Sequence, residues 1–96
     1  MGFIMTIPEE ILEAVSILIK EKGMSTFRKL DIREQIGIDR HRWAFSYSPI
    51  FQAMRIDHPG KAPFIGEKYM GIFKRVKYGV HTLTEYGKEM IGSQRG

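Results

Sequence analysis

The ten residues Val80–Glu89, Val-His-Thr-Leu-Thr-Glu-Tyr-Gly-Lys-Glu, predict a strand that passes directly into a helix. Valine and threonine favour strands, and we expect Leu83 to end this strand facing the core. Thr84 is a good N-cap for a helix over residues 85–91. Gly87 shortens or interrupts that helix, and its missing side chain allows another part of the backbone to pack closely. The segment therefore predicts a strand–helix junction that closes the fold.

The residues before this junction predict the other half of a β-hairpin. Met70 to Val76 is apolar and aromatic enough to form a strand. The turn is Lys-Tyr-Gly at residues 77–79, and its glycine can adopt positive φ. Three cations cluster at or near the predicted tip: Lys74, Arg75 and Lys77.

The N-terminal third predicts an amphipathic helix. Thr6 and Glu9 have the spacing of a capping box, and the apolar periodicity continues to about Lys22 before Gly23 ends the helix. Ile17 falls outside the apolar face. An isolated apolar residue is usually just exposed, but this first helix is also where we would look for a dimer contact.

Two further elements follow. Met24–Phe27 predicts a short β segment, and Lys29–Ile36 predicts a second helix that ends at Gly37. Asp39 can cap one further helical turn. Trp43 and Phe45 in that turn could stack on bases, although aromatic residues in a small protein more often join the core.

The stretch Tyr47–Arg55, Tyr-Ser-Pro-Ile-Phe-Gln-Ala-Met-Arg, predicts a third helix with Ser48 as N-cap and Pro49 at the first helical position. Helical spacing places Ser48, Gln52 and Arg55 together on a polar, acid-free face. Such side chains hydrogen-bond to phosphates or base edges. The pattern also fits an ordinary amphipathic surface helix.

Charge and composition narrow the function classes. The 96 residues predict one domain, residues 1–96, with a net charge of +4. Residues 28–79 hold eleven Lys or Arg and five acids, so the positive excess lies there. This distribution suits a polyanion, although a solvated basic surface gives the same composition. The sequence has no cysteine, no apolar run of about 18 residues and no signal-peptide pattern. We therefore expect a cytoplasmic protein that does not contact a membrane.

Catalytic and metal chemistry have little support in the sequence. The three histidines are isolated from one another, so no metal site is predicted. Asp57, Glu67 and Lys68 suggest a nuclease site, but adjacent residues on a strand point to opposite faces. We therefore expect neither enzymatic activity nor a cofactor.

The order of elements resembles that of a winged helix-turn-helix domain. That order is helix, short strand, helix, helix, two-stranded hairpin, helix, which gives an α+β, mainly helical fold with a two-stranded β wing. The Leu-Thr-x-x-Gly-Lys-Glu pattern of residues 83–89 is similar to the junction between wing and closing helix in many bacterial and archaeal winged-helix regulators. Phe27–Ile36 and residues 47–63 also resemble small winged-helix modules found beside restriction-modification genes.

This resemblance implies binding to double-stranded DNA with some sequence preference, in the manner of a transcriptional regulator. Carried over by position, the base-facing candidates are Ser48, Gln52 and Arg55. The resemblance also implies contacts from the wing by Lys74, Arg75, Lys77 and Tyr78, and phosphate contacts by Arg28 and Lys29. Arg40 and Arg42 are further DNA-binding candidates that the family pattern does not assign. The long Pro-Gly loop at residues 57–69 departs from the commonest pattern, which leaves the wing geometry open.

Three alternatives remain at this stage. A winged-helix fold can serve protein association, because fold alone does not fix function. It can also be the accessory DNA-recognition part of a restriction-type system, or a nuclease. A homodimer is expected through the first helix and the N-terminal arm around Phe3.

Overall fold

The computed structural model describes residues 5–57 and 63–94, with the side chains of the last two outside the description. Its elements in chain order are α1 (Ile7–Lys20), α2 (Lys29–Ile36), α3 (Arg40–Arg42), a π-helical segment (Trp43–Tyr47), α4 (Ser48–Ala53), a 3-10 turn (Glu67–Tyr69), β1 (Phe73–Lys77), β2 (Val80–Leu83) and α5 (Glu85–Gln94). The fold is therefore α+β and mainly helical, with a two-stranded antiparallel sheet, which is compatible with a winged helix.

Helix α1 begins at the predicted capping box. The Thr6 backbone N–H donates to Glu9 Oε1 at 2.8 Å, and the Glu9 N–H donates to Thr6 Oγ1 at 3.4 Å. The Thr6 N–H and the Thr6 hydroxyl, which both donate to Glu9 Oε1, stabilise the carboxylate and lower the pKa of Glu9. The helix ends at Lys20, two residues earlier than predicted, and Gly23 beyond it takes a φ of 67°.

The predicted start of the third helix is wrong. Ser48 has φ −59° and ψ −45°, so it lies inside a helical run that already begins at Arg40. The N-cap is Asp39, whose Oδ1 accepts the Arg42 N–H at 2.7 Å. We call residues 40–53 the central helical run.

The π-helical segment explains how Pro49 sits inside the central helical run. Proline lacks an N–H and its ring clashes with the carbonyl four residues before it in a regular α-helix. Here the Ser48 N–H donates to the carbonyl of Trp43, five residues back, which widens the turn just before the proline. The sequence pattern Ser-Pro, which is common at helix starts, thus occurs within a helix.

The hairpin closes against two distant parts of the chain. β1 pairs with β2 so that Phe73 lies opposite Leu83 and Arg75 lies opposite His81, with an irregularity after Arg75. Phe27 forms an isolated antiparallel bridge with His81, and Arg55 forms a parallel bridge with Phe73. The predicted strand Met24–Phe27 is therefore reduced to one bridging residue, and the predicted strand at residues 70–76 begins three residues later.

Aromatic side chains form the centre of the core. Trp43, Tyr47 and Phe51 are buried, as expected for the first two, and their rings follow one another along the central helical run. Phe51 packs 5.0 Å from the ring of Phe73 and, edge to face, 5.0 Å from the ring of His81. The Tyr47 hydroxyl donates to the Glu10 carboxylate at 2.9 Å, which joins the run to α1.

The predicted strand–helix junction is confirmed. Thr84 caps α5, because its Oγ1 accepts the Gly87 N–H at 3.0 Å while its own hydroxyl donates to the Gly71 carbonyl at 2.6 Å. A Cβ on Gly87 would overlap the carbonyl oxygen of Ile72. The junction therefore requires glycine at this position, although α5 continues past residue 91 to Gln94.

No helix among the described residues is both long and apolar enough to cross a membrane.

Candidate nucleic-acid interface

A pocket of about 340 Å³ lies between the start of α2, the end of α4 and the hairpin. We call it the basic pocket. Its lining residues are Arg28, Lys29, Leu30, Arg55, Arg75, Tyr78, Gly79 and His81. Five of the eleven DNA-binding candidates from the sequence thus share one surface concavity.

The two isolated bridges bring these residues together. The Phe27–His81 bridge places the first residues of α2, Arg28 and Lys29, beside β2. The Arg55–Phe73 bridge places the end of the central helical run beside β1. Because Arg75 lies directly opposite His81, their side chains share one face of the hairpin. Backbone pairing, rather than sequence proximity, therefore assembles the pocket.

Two of the four cations in the pocket are paired with acids. Arg28 Nη2 lies 3.1 Å from Asp31 Oδ1, and Arg55 Nε lies 3.1 Å from Asp57 Oδ1. Each arginine lowers the pKa of its carboxyl partner, chiefly through the side-chain hydrogen bond. Lys29 and Arg75 form no ion pair with any described residue. The pocket consequently carries net positive charge.

Burial and the neighbouring cations both shift the pKa values of groups in the pocket. Burial, assisted by the charge of Arg55, lowers the pKa of Lys29. Burial first, then the charges of Arg55 and Lys29, lowers the pKa of His81 to about 4, against a small opposing effect from Asp57. Both shifts disfavour the charged form of the group, and burial is the larger cause of each.

His81 is the residue of this site that the sequence interpretation missed. It was expected only as a strand residue beside the wing, yet its side chain is 2% exposed and lines the pocket. Alternation along β2 could have located it, because Leu83, two residues later, was predicted to face the core.

The exposed surface of the central helical run differs from the predicted one. Exposed residues concentrate in its first half: Arg40, His41, Arg42, Ala44, Phe45 and Ser46. Phe45 is 82% exposed, so it does not join the core with its neighbour Trp43. Ser48 and Gln52 are half-buried, and the Arg55 side chain is only 13% exposed. The accessible face thus lies toward Asp39, about two turns before the predicted one.

Of the other wing candidates, Lys74 and Lys77 lie outside the pocket, whereas Tyr78 lines it. Lys74 is opposite Thr82, on the other face of the hairpin from Arg75. Lys77 pairs with Val80 after the irregularity in β1. Tyr78 at the turn is 93% exposed, as an aromatic residue with little core to join should be. The hairpin therefore offers cations on both faces.

The remaining sequence predictions concern metal ligands, the N-terminal arm and Ile17. Within residues 5–57 and 63–94, no three His, Asp or Glu side chains group as metal ligands would. His58 and the N-terminal arm around Phe3 lie outside the described residues. Ile17, half-buried on α1, lines a small pocket of about 150 Å³ with Ile36.

No protein-family model, curated protein sequence or solved structure matches this chain. Function is therefore inferred from the residues and their geometry.

Proposed function

We propose that the protein binds double-stranded DNA, with some preference for sequence, as a winged helix-turn-helix protein does. The observation that carries the proposal is the convergence of Arg28, Lys29, Arg55 and Arg75 from three separate parts of the chain. Cations placed on phosphates release condensed counterions, which supplies much of the free energy of DNA binding. A basic surface that contacts only solvent would not require cations from three parts of the chain to lie together.

In this proposal the central helical run enters the major groove by its first half. Residues near the start of a recognition helix are the ones that reach base edges. Arg40 and His41 can donate hydrogen bonds there, while Ala44 and Phe45 can contact thymine methyl groups. All four side chains are exposed. Ser48 and Gln52 remain candidates at the edge of the contact.

The basic pocket and the hairpin then contact the sugar–phosphate backbone. The start of α2 favours negative charge because its first N–H groups have no partner inside the helix. Arg75 and Tyr78 extend the same surface along the hairpin. Less directional attraction to the phosphates comes from cations at neighbouring positions, namely Lys74, Lys77 and Arg42. Together these groups position the duplex, and the helical run reads it.

We extend the proposal to transcriptional regulation in the cytoplasm by a homodimer. Helix α1 is the proposed dimer contact, through the surface around Ile17. A dimer would present two central helical runs to two half-sites on one face of the duplex.

Binding of a labelled duplex over a series of salt concentrations tests the DNA proposal. We expect log K to fall linearly with log salt, at about −0.9 for each phosphate neutralised. Arg75→Ala should weaken binding to all duplexes alike and reduce the slope by about one. Lys88→Ala, on α5 and paired with Glu85, is the matched control and should change neither. If the affinity for the duplex changed neither with salt concentration nor on Arg75→Ala, DNA binding through this face would be refuted.

The second candidate is association with a protein, which the exposure of Phe45 favours. Exposed aromatic residues mark interaction sites when they form part of a patch. In that case Phe45→Ala would lower the sedimentation-measured mass of the assembly, whereas Arg75→Ala would leave it unchanged. If the protein binds DNA instead, Arg75→Ala should weaken binding to the duplex.

A further inference from the structure

His81 is buried at the floor of the basic pocket without a hydrogen-bond partner for its side chain. Neither ring nitrogen is bonded to any described residue, although the backbone of His81 is fully paired with Phe27. An unpaired buried polar group costs about 1–3 kcal/mol, so an apolar residue would suit this position better if packing were its only purpose. Packing of the core alone therefore does not explain an imidazole at this position.

Charged side chains from three separate segments of the chain face His81. Arg28 and Lys29 approach from the N-cap and first residue of α2, Arg55 and Asp57 from the segment after the central helical run, and Arg75 from β1. Asp57 is held by Arg55, so it offsets only part of this charge. On the side of Phe51 the ring meets only an aromatic edge. Burial first, and then the cations on the pocket side, favour the neutral imidazole.

We infer that the basic pocket is a discrete site for a single phosphate group, bound by Lys29, Arg75 and the start of α2 above His81. The inference rests on the proposed function for one source of that phosphate, the DNA backbone; a free phosphate or nucleotide is the other. Arg75 is the only described cation of the hairpin that lines the pocket, and Lys29 lines it from the start of α2 without an ion pair to any described carboxylate. A lone anion in contact with both is favoured because neither must leave an existing partner.

Binding of a phosphate should draw a proton from solvent onto His81. The anion offsets the repulsion from Arg55, Lys29 and Arg75. An opposite charge within about 4–6 Å favours the charged form of a titratable group, so the pKa of His81 rises on binding. Affinity for a phosphodiester, whose own charge is constant over this range, should therefore increase as pH falls from 7 toward 5.

Nuclear magnetic resonance of the full chain tests the site directly. Inorganic phosphate is added against sodium chloride at equal ionic strength and constant pH, and a duplex is added in a second series. We expect saturable shifts of the Lys29, Leu30 and Gly79 amides in both series. We also expect the imidazole titration of His81 to move upward by about one unit or more. Equal responses to phosphate and chloride, with an unmoved His81 titration, would overturn the inference.

Two variants on one strand provide the control for this measurement. Arg75→Ala is at an exposed position, so the fold should persist, and it should abolish the phosphate-specific shifts. Lys74→Ala removes the same charge from the other face of the hairpin and should leave the shifts in the inorganic-phosphate series intact, whatever it does to duplex binding. Equal losses in both variants would reduce the effect to general attraction and refute a discrete site.

The two series separate this inference from DNA binding itself. Phosphate binding with a raised His81 titration, but no duplex binding, would support the site with a free phosphate or nucleotide as its ligand and would refute the proposed function. Duplex binding without any response of His81 would leave the proposed function standing and refute the phosphate site.

Discussion

Phe27 and His81 exchange both of their backbone hydrogen bonds: the Phe27 N–H donates to the His81 carbonyl at 2.9 Å, and the His81 N–H donates to the Phe27 carbonyl at 2.8 Å. This single pair fixes the start of α2 against the hairpin. It thereby brings Lys29 to the same pocket as Arg75. The proximity of Lys29 to Arg75 is a direct consequence of this pairing.

Phe45→Ala should weaken duplex binding without weakening the fold. Its side chain is 82% exposed, so we expect a change in unfolding free energy within about 0.5 kcal/mol. Loss of an apolar contact with bases should lower affinity, which fluorescence anisotropy would measure. Phe64→Ala, at a 79% exposed position outside the helical run, is the control. Equal effects of the two substitutions would argue against the run as the reading element.

Stability should fall between about pH 6.5 and pH 4 because of His81. The pKa of His81 is lowered to about 4 in the folded protein, against an ordinary value of 6.5, so the unfolded state binds more protons in this window. The contribution is complete above pH 6.5, decreases as pH falls, and changes no further below pH 4. The loss amounts to at most about 3 kcal/mol. Urea unfolding at several pH values measures it.

The matched variants for this pH dependence are His81→Phe and His41→Gln. His81→Phe should flatten the window, because the group that titrates there is gone. His41 is exposed on α3, so His41→Gln should leave the pH profile as it was. The lowered pKa values of Glu9, Asp31 and Asp57 also reduce stability as pH falls through and below their ordinary values of 4.5 and 3.8, so the His81 contribution is the part of the pH dependence that His81→Phe removes.

Gly87→Ala should destabilise the protein by about 1–3 kcal/mol, as overpacking does. The added methyl would overlap the Ile72 carbonyl oxygen and lie 3.0 Å from Leu83 Cδ2. Gly92→Ala in the same helix meets nothing within 4 Å and should instead stabilise by about 0.5–1 kcal/mol. Thermal unfolding of both variants checks this opposition in sign, and a stabilised Gly87→Ala would contradict the close approach.

Asp39→Ala should cost about 0.5–2 kcal/mol, because it removes the N-cap of the central helical run. Ser48→Ala should change the unfolding free energy by less than about 0.5 kcal/mol, since Ser48 lies within the run and caps nothing. Chemical denaturation of the two variants distinguishes the helix start at Arg40 from the one that the Ser-Pro pattern suggested. A larger loss for Ser48→Ala would restore the latter.

Local signals in the sequence were reliable where a side chain bonds to its own neighbourhood. The Thr6–Glu9 box and the Thr84 cap needed only residues three positions apart, so both were predictable. Ser48-Pro49 failed because its usual meaning depends on a regular α-helix. The wider turn at Trp43–Tyr47 accommodates proline inside the run. No local sequence pattern predicts such a turn.

The sequence by itself determined the order of the elements, the caps of α1 and α5, and the location of the positive charge within residues 28–79. Those features arise from interactions over a few residues or from composition. Only the tertiary structure decided that Lys29, Arg55 and Arg75 share one pocket above a buried His81, and that Phe45 rather than Arg55 is accessible. The bridges that achieve this join residues 54 and 18 positions apart, and pairing at such separations depends on how the whole core packs.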